Sequence, residues 1–331
     1  MELTTLWFVI IAFFWLGYLV LEGFDFGVGI LLPVLGRDDT ERRVVLNTIG
    51  PVWDGNEVWL IVAGAATFAA FPEWYATMFS GFYLPLFVIL VALILRAIGL
   101  EYRGKRSDAE WRRWWDTAIF FGSLVPAILW GVALANIVRG VPIDADGEYV
   151  GGLFNLLNPY ALLGGLSTLL LFVTHGAFFL ALKTTGEIRD RANRFALGAG
   201  LLAAVAAGGF LLWTVVSSAK VSVAVLAAGA VVALAGALLA GLRQRDGWAF
   251  AGTAVTVGLT AALLFVALFP NVMPSSLDPA WSLTTTNASS TAYTLEIMSW
   301  AGLVFTPIVM IYQAWSYWVF RKRIGVQHIP A

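Results

Sequence analysis

Long apolar runs alternate with short polar ones along the whole chain. Roughly 20 apolar residues in a helix cross a bilayer. Nine runs reach that length: Leu6–Leu32, Val52–Phe71, Thr77–Leu100, Trp115–Val138, Pro159–Leu182, Arg194–Val216, Val221–Leu242, Trp248–Phe269 and Ile297–Phe320. Only Ser217–Lys220 divides the sixth run from the seventh. Those two runs are almost purely Ala, Val, Leu and Gly, so they read as structural or lipid-facing helices. The prolines of Phe269–Ser276 stop the eighth run and predict a structural corner there. The pattern predicts an all-α polytopic membrane protein with nine transmembrane helices, and a single integral membrane domain over residues 1–331. The start, Met1-Glu2-Leu3, lacks the basic region of a signal peptide, so the first run is expected to be a retained span.

Charge assigns the two sides. After spans one, three, five and seven, and in the tail, stand 17 Lys and Arg, among them Arg37, Arg42, Arg43, Arg103, Arg112, Arg189 and Arg323. The other side has only Arg139 and Lys220. Basic loops stay inside, so the N-terminus is expected outside and the C-terminus in the cytoplasm, which requires an odd number of spans. Trp74, Tyr75, Trp111, Trp114, Trp115, Trp315 and Trp318 lie at span ends, as an interfacial belt would.

Composition narrows the chemistry. The chain is 60% hydrophobic and 12% charged, with no cysteine and two histidines. A soluble domain is about a quarter charged. Without cysteine there is no disulfide, thiolate zinc site, iron–sulfur cluster or covalent haem attachment. Two histidines are too few for this chain alone to hold several haems or a copper centre. No metal site and no nucleic-acid partner are expected.

The polar residues that stand out are two signatures, Glu22-Gly23-Phe24-Asp25-Phe26-Gly27-Val28-Gly29 and Trp53-Asp54-Gly55-Asn56-Glu57-Val58-Trp59. An unpaired charge at mid-membrane costs at least ~2.5 kcal/mol. Glu22 and Asp25 lie one turn apart on one helix face. Asp54 is in the first turn of the second span, and Glu57 lies one turn further in. Arg96 is near the end of the third span. Consecutive helices usually pack as neighbours, so Glu22, Asp25, Asp54, Glu57 and Arg96 are expected to converge in the cytoplasmic half. One cation among four acids cannot neutralise them all. A readily protonated acid at a cytoplasmic entrance suits proton uptake, whereas a fully paired network would only lock three helices. Gly23 and Gly27 form the small-xxx-small spacing of close helix approach. Trp53 and Trp59 read as interfacial anchors or as the wall of a cofactor pocket. His175, in mid-span, reads as a hydrogen-bonded structural residue, and Glu296 as an interfacial acid.

At these signatures the chain closely resembles subunit II of the cytochrome bd quinol oxidases of prokaryotes. Further matching stretches are Asp39-Thr40-Glu41-Arg42-Arg43, Phe79-Ser80-Gly81-Phe82-Tyr83, Asn155-Leu156-Leu157-Asn158-Pro159 and Val272-Met273-Pro274-Ser275-Ser276. Their order and spacing extend over nearly the whole chain. The resemblance implies two four-helix bundles plus one peripheral ninth helix, in the prokaryotic cell membrane. It implies a heterodimer with subunit I, which carries two haems b and haem d and the quinol site. The complex oxidises quinol and reduces dioxygen to water. By the same resemblance, Asp54 matches an acid of a proton pathway, joined here by Glu57, Asp25 and Glu22. Asp25, Trp53 and Arg96 match polar positions near the subunit interface, and Trp53, Asp54 and Arg96 are near where the structural quinone of some members would sit. Trp59 matches a position beside an oxygen access route. The resemblance leaves open whether a structural quinone or a small accessory subunit is present. The outer connection between spans six and seven is shorter here than in longer members.

The expected function is thus a haem-free subunit of a terminal quinol oxidase, not catalytic alone, which supports subunit I and supplies a cytoplasmic proton route. Two rivals are a proton-coupled secondary transporter that uses the buried acids and a purely structural subunit.

Overall fold

The computed structural model describes residues 2–329. In chain order the helices are α1 (Leu3–Leu35), α2 (Asp39–Ile49), α3 (Trp53–Ala70), α4 (Pro72–Gly81), α5 (Tyr83–Tyr102), α6 (Ala109–Arg139), α7 (Gly152–Asn155), α8 (Pro159–Lys183), α9 (Gly186–Ser218), α10 (Val221–Leu242), α11 (Asp246–Leu268) and α12 (Ala292–Val319). A small antiparallel hairpin, β1 (Asn271–Met273) and β2 (Leu283–Thr284), follows α11. Helices α1, α3, α5 and α6 form one bundle and α8 to α11 the other, with α1 and α6 packed against α8 between them. Helix α12 lies outside both, against α1 and α3, and Leu295 is its one buried residue.

The two bundles meet without side chains at one level. A Cβ on Gly27 would lie 2.1 Å from the Phe172 carbonyl oxygen, and one on Gly176 would lie 2.6 Å from the Gly27 backbone. Only glycine at both positions permits that approach. The expected role of Gly27 is therefore correct, and Gly176 is its partner.

Eight helices are long and apolar enough to cross a membrane, and α3 is not among them. Its first turns carry Asp54, Asn56 and Glu57, which lower its hydropathy. The expected nine spans thus stand at eight by length and hydropathy. Helix α3 nevertheless runs beside α1 from the level of Asp25, which Asn56 touches, to the end where the Ala70 carbonyl accepts from Ser290. The expected third span, Thr77–Leu100, is corrected: it is cut at Phe82 into α4 and α5. Pro85 lies in the first turn of α5 and has no N–H to continue the preceding helix. The thin division at Ser217–Lys220 is real, because Ala219 turns the chain in the left-handed region with φ 51°. The expected corner after span eight is β1, where Val272 and Met273 are buried and the Pro274 carbonyl accepts from Val141. Trp74 is buried, not part of a surface belt, whereas Trp114, Trp315 and Trp318 are exposed.

The end that carries the basic residues is tied together by acids that each hold two guanidinium groups. Asp116 binds Arg42 and Arg103, Asp39 binds Arg103 and Arg112, and Asp246 binds Arg189 and Arg323. Glu41 accepts from Arg191 at 2.6 Å. Helix α2 lies at this end. Asp38 caps it by accepting from the Glu41 N–H at 2.8 Å, and Val44, Val45, Thr48 and Ile49 face inward at helical spacing. At the opposite end, Lys220 donates to the carbonyls of Val266, Ala267 and Phe269, which closes the C-terminus of α11.

Candidate functional site

The polar centre of the first bundle draws on four helices. Glu22 and Asp25 come from α1, Asn56 and Glu57 from α3, Arg96 from α5, and Gln313 and Tyr317 from α12. Glu22, Asp25, Asn56 and Arg96 are fully buried. The Arg96 guanidinium donates to Glu22, lies 3.9 Å from a Glu57 oxygen, and sits 4.9 Å above the Phe26 ring. Asp25 accepts from the Asn56 amide at 2.7 Å. The Asn56 oxygen accepts in turn from Gln313 at 2.9 Å and from Tyr317 at 2.8 Å.

Several polar atoms here are buried with no hydrogen-bond partner among the described residues: one oxygen each of Glu22, Asp25 and Glu57, and two nitrogens of Arg96. More than nine in ten buried polar groups in native proteins are paired. An ion pair out of water is stabilised only when its remaining lone pairs and protons are satisfied too. Such a concentration of unpaired atoms sets this centre apart from an ion pair whose polar atoms are all satisfied. It lies one turn inside Asp54, at the rim of the bundle.

The expected convergence holds for Glu22, Asp25, Glu57 and Arg96. Asp54 is near Glu57 but exposed, and it takes no part in the buried cluster. Trp53 is half-buried beside it. Arg96 is enclosed, so Trp53, Asp54 and Arg96 do not share one surface, as contact with one quinone would require. Trp59 is buried against Phe13 and Phe14, where a Cβ on Gly17 would come within 2.3 Å of its ring. One turn on from Trp59, an apolar groove of about 490 Å³ opens between α3, α4 and α5, lined by Leu60, Ile61, Phe68, Tyr83 and Phe87, with Trp15 and Trp130 at its floor.

Asn56, Gln313, Tyr317 and Phe26 belong to this centre, and charge-based reading passes over them. Asn56 stands in the quoted signature but carries no charge. Gln313 and Tyr317 lie four apart in a mostly apolar run, and that spacing puts them on one helix face.

The second bundle has its own buried polar residue. The Nδ1 atom of His175 is 2.7 Å from the Thr253 hydroxyl, its Nε2 is 3.2 Å from the Val20 carbonyl, and its ring stacks on Phe250. Both nitrogens are engaged, so His175 is held as a structural residue and does not fit an iron ligand. No group of His, Cys, Asp and Glu able to hold a metal ion occurs among the described residues. Glu296 is exposed, as an interfacial acid would be.

Comparison with known proteins gives a consistent result. Residues 3–320 match the family model described as cytochrome bd terminal oxidase subunit II. The chain is 42% identical to the cytochrome bd ubiquinol oxidase subunit 2 of Bacillus subtilis, over 98% of this chain and 97% of that protein. It is 37% identical to the cytochrome bd-I ubiquinol oxidase subunit 2 of Escherichia coli K12, over 98% and 96%. Its fold matches a chain in the structure of the bd oxidase from Geobacillus thermodenitrificans with a TM-score of 0.76. That match covers 97% of this chain and 100% of that one at 18% identity.

Proposed function

The chain belongs to the cytochrome bd terminal oxidase subunit II family, and from that premise we propose that it carries protons from the cytoplasm toward the haems of its partner, subunit I. As a member of that family it is a subunit of a membrane-bound quinol oxidase, and a proton-coupled transporter finds no support among its relatives. Bound in subunit I, the haems supply electron transfer and the reduction of dioxygen. This chain's residues do not fit a haem, so its part in the reaction is played by its acids and its surface.

In this reading the basic end faces the cytoplasm, because basic loops stay inside. The N-terminus is then outside. Asp54, exposed on the first turn of α3, is the entrance. Glu57 receives the proton one turn further in. Arg96 holds the Glu22 and Glu57 carboxylates near each other without exchanging a proton itself, since arginine stays charged. Glu22 and Asp25 complete the route in the buried centre. The observation that carries the proposal is the set of buried oxygens and nitrogens on Glu22, Asp25, Glu57 and Arg96 that have no hydrogen-bond partner among the described residues. Atoms of this kind bind the water through which protons move.

The exposed apolar faces of α3 and α5, with Val58, Ile61, Tyr83, Phe87 and Ile94, are the contact surface for subunit I. Trp53 lies on that contact and Asp25 and Arg96 behind it. Trp59 lies beside the groove, whose apolar walls suit dioxygen. The groove suits an isoprenoid quinone tail better than the enclosed Arg96 suits a quinone head.

Asp54→Asn tests the route. The assembled complex should keep its haem spectrum and lose roughly tenfold or more in quinol-driven oxygen uptake. Full oxygen uptake with a normal spectrum would remove Asp54 from the path.

A further inference from the structure

We propose that Asn56, anchored by Gln313 and Tyr317 of α12, is the positioning residue for Asp25 and closes that carboxylate to proton exchange on the α12 side. The inference rests on the proton-route reading and names the device that gives the route its direction.

The geometry of one amide carries it. The Asn56 Oδ1 atom accepts from Gln313 Nε2 at 2.9 Å and from Tyr317 Oη at 2.8 Å, which uses both of its lone pairs. Its Nδ2 atom donates to Asp25 Oδ2 at 2.7 Å and points its other hydrogen toward the Leu21 carbonyl at 3.5 Å. With Gln313 and Tyr317 both donating, the amide presents only N–H to Asp25. A carboxylate is the natural partner for that hydrogen, and charge-assisted bonds of this type are the stronger ones. An amide N–H neither gives up nor takes a proton at physiological pH. No proton therefore passes from Tyr317 to Asp25 through Asn56, although hydrogen bonds join all three. The other carboxylate oxygen, Oδ1, is buried with no partner and is the one open to exchange. The titratable and charged groups around Asp25 are Glu22 on its own helix, Glu57 on α3, Arg96 on α5 and Tyr317 on α12. Asn56 shuts off the last of these, and exchange is directed to the Glu22–Glu57–Arg96 side.

This also accounts for polar residues on a helix that is otherwise nearly all exposed. Tyr317 packs edge-on to Phe24, and together with Gln313 it fixes which way the Asn56 amide faces.

The test uses the intact complex with subunit I. The variants are Asn56→Ala, the pair Gln313→Leu with Tyr317→Phe, and Asp25→Asn as reference. For each assembled complex, quinol-driven oxygen uptake, the KM for quinol and the deuterium-oxide isotope effect are measured. Asn56→Ala should lower kcat roughly tenfold, leave KM unchanged and raise the isotope effect. The α12 pair should give a smaller loss of the same kind. A merely structural Asn56 would change yield, not the isotope effect. Wild-type turnover and isotope effect in assembled Asn56→Ala overturn the inference; if that variant does not assemble, the α12 pair decides by the same criterion. Loss of turnover in Asp25→Asn alone leaves the proton route standing and this inference refuted. Wild-type behaviour of Asp25→Asn removes the route itself.

Discussion

Two buried polar centres lie on either side of α1, and they are built on opposite terms. At His175, Thr253 and the Val20 carbonyl meet both ring nitrogens, and Phe250 covers the ring. At Glu22, Asp25, Glu57 and Arg96, charge is matched only in part and several atoms have no partner. Burial depth does not separate the two. Completeness of bonding does: a fully satisfied polar centre contributes rigidity, and unpaired polar atoms are costly to bury.

Removing Arg96 should break the second centre most severely. Arg96→Leu leaves Glu22 buried beside no cation, at a cost of about 3–5 kcal/mol, and the complex should fail to assemble, read as loss of the haem signal after purification. Adding Glu22→Gln removes the stranded charge. That double variant should assemble again yet stay slow in oxygen uptake, because the protonatable group is gone. Recovery of both would mean the pair is only a lock.

At the first centre the outcome should be reversed. His175→Ala takes the ring away from the Thr253 hydroxyl, which keeps its bonds to the Ala249 and Phe250 carbonyls, leaves a cavity beside Phe250, and should cost about 2–4 kcal/mol of stability. The fraction that assembles should turn over at the wild-type rate. A rate deficit in well-assembled His175→Ala would erase the distinction between the two centres.

How much of this was legible in the sequence depends on charge. The meeting of Arg96 with acids of neighbouring helices follows from their levels in the spans, though not its choice of Glu22, and the Gly27 approach follows from spacing. The outward position of Asp54 does not, because it depends on the rotation of α3. Asn56 faces α1, and residues two apart on a helix do not share a face, so Asp54 must point away. That phase is fixed by an uncharged amide whose partners, Gln313 and Tyr317, lie more than 250 residues further along the chain. The same blindness hides the acids at the basic end. Its arginines read as markers of sidedness, yet most of those named here are held by Asp39, Glu41, Asp116 or Asp246, whose partners are distant in sequence.

The smallest effect is expected at that basic end, at Glu41. Desolvation alone would push its carboxyl up, but the hydrogen bonds from Arg191 and from the Arg37 amide outweigh it and hold the carboxyl below its usual range. A value lower in the folded protein than in the unfolded chain means that stability is gained in full above the unfolded value, near pH 4–5. It is lost as pH falls through the folded value. Glu41→Gln should lower the melting temperature of the complex slightly at pH 7, by the equivalent of less than about 1 kcal/mol. The difference should vanish in acid. A constant difference across pH would show that shape, not charge, matters there.

The contact of Gly27 with Gly176 leaves no clearance between the bundles, not even the width of a methyl group. A machine that worked by rocking one half against the other would need play at that joint. Here backbone meets backbone, and the joint has no slack at that level. On the proposed proton route the chain would be a stator, with light particles passing posts set by backbone against backbone.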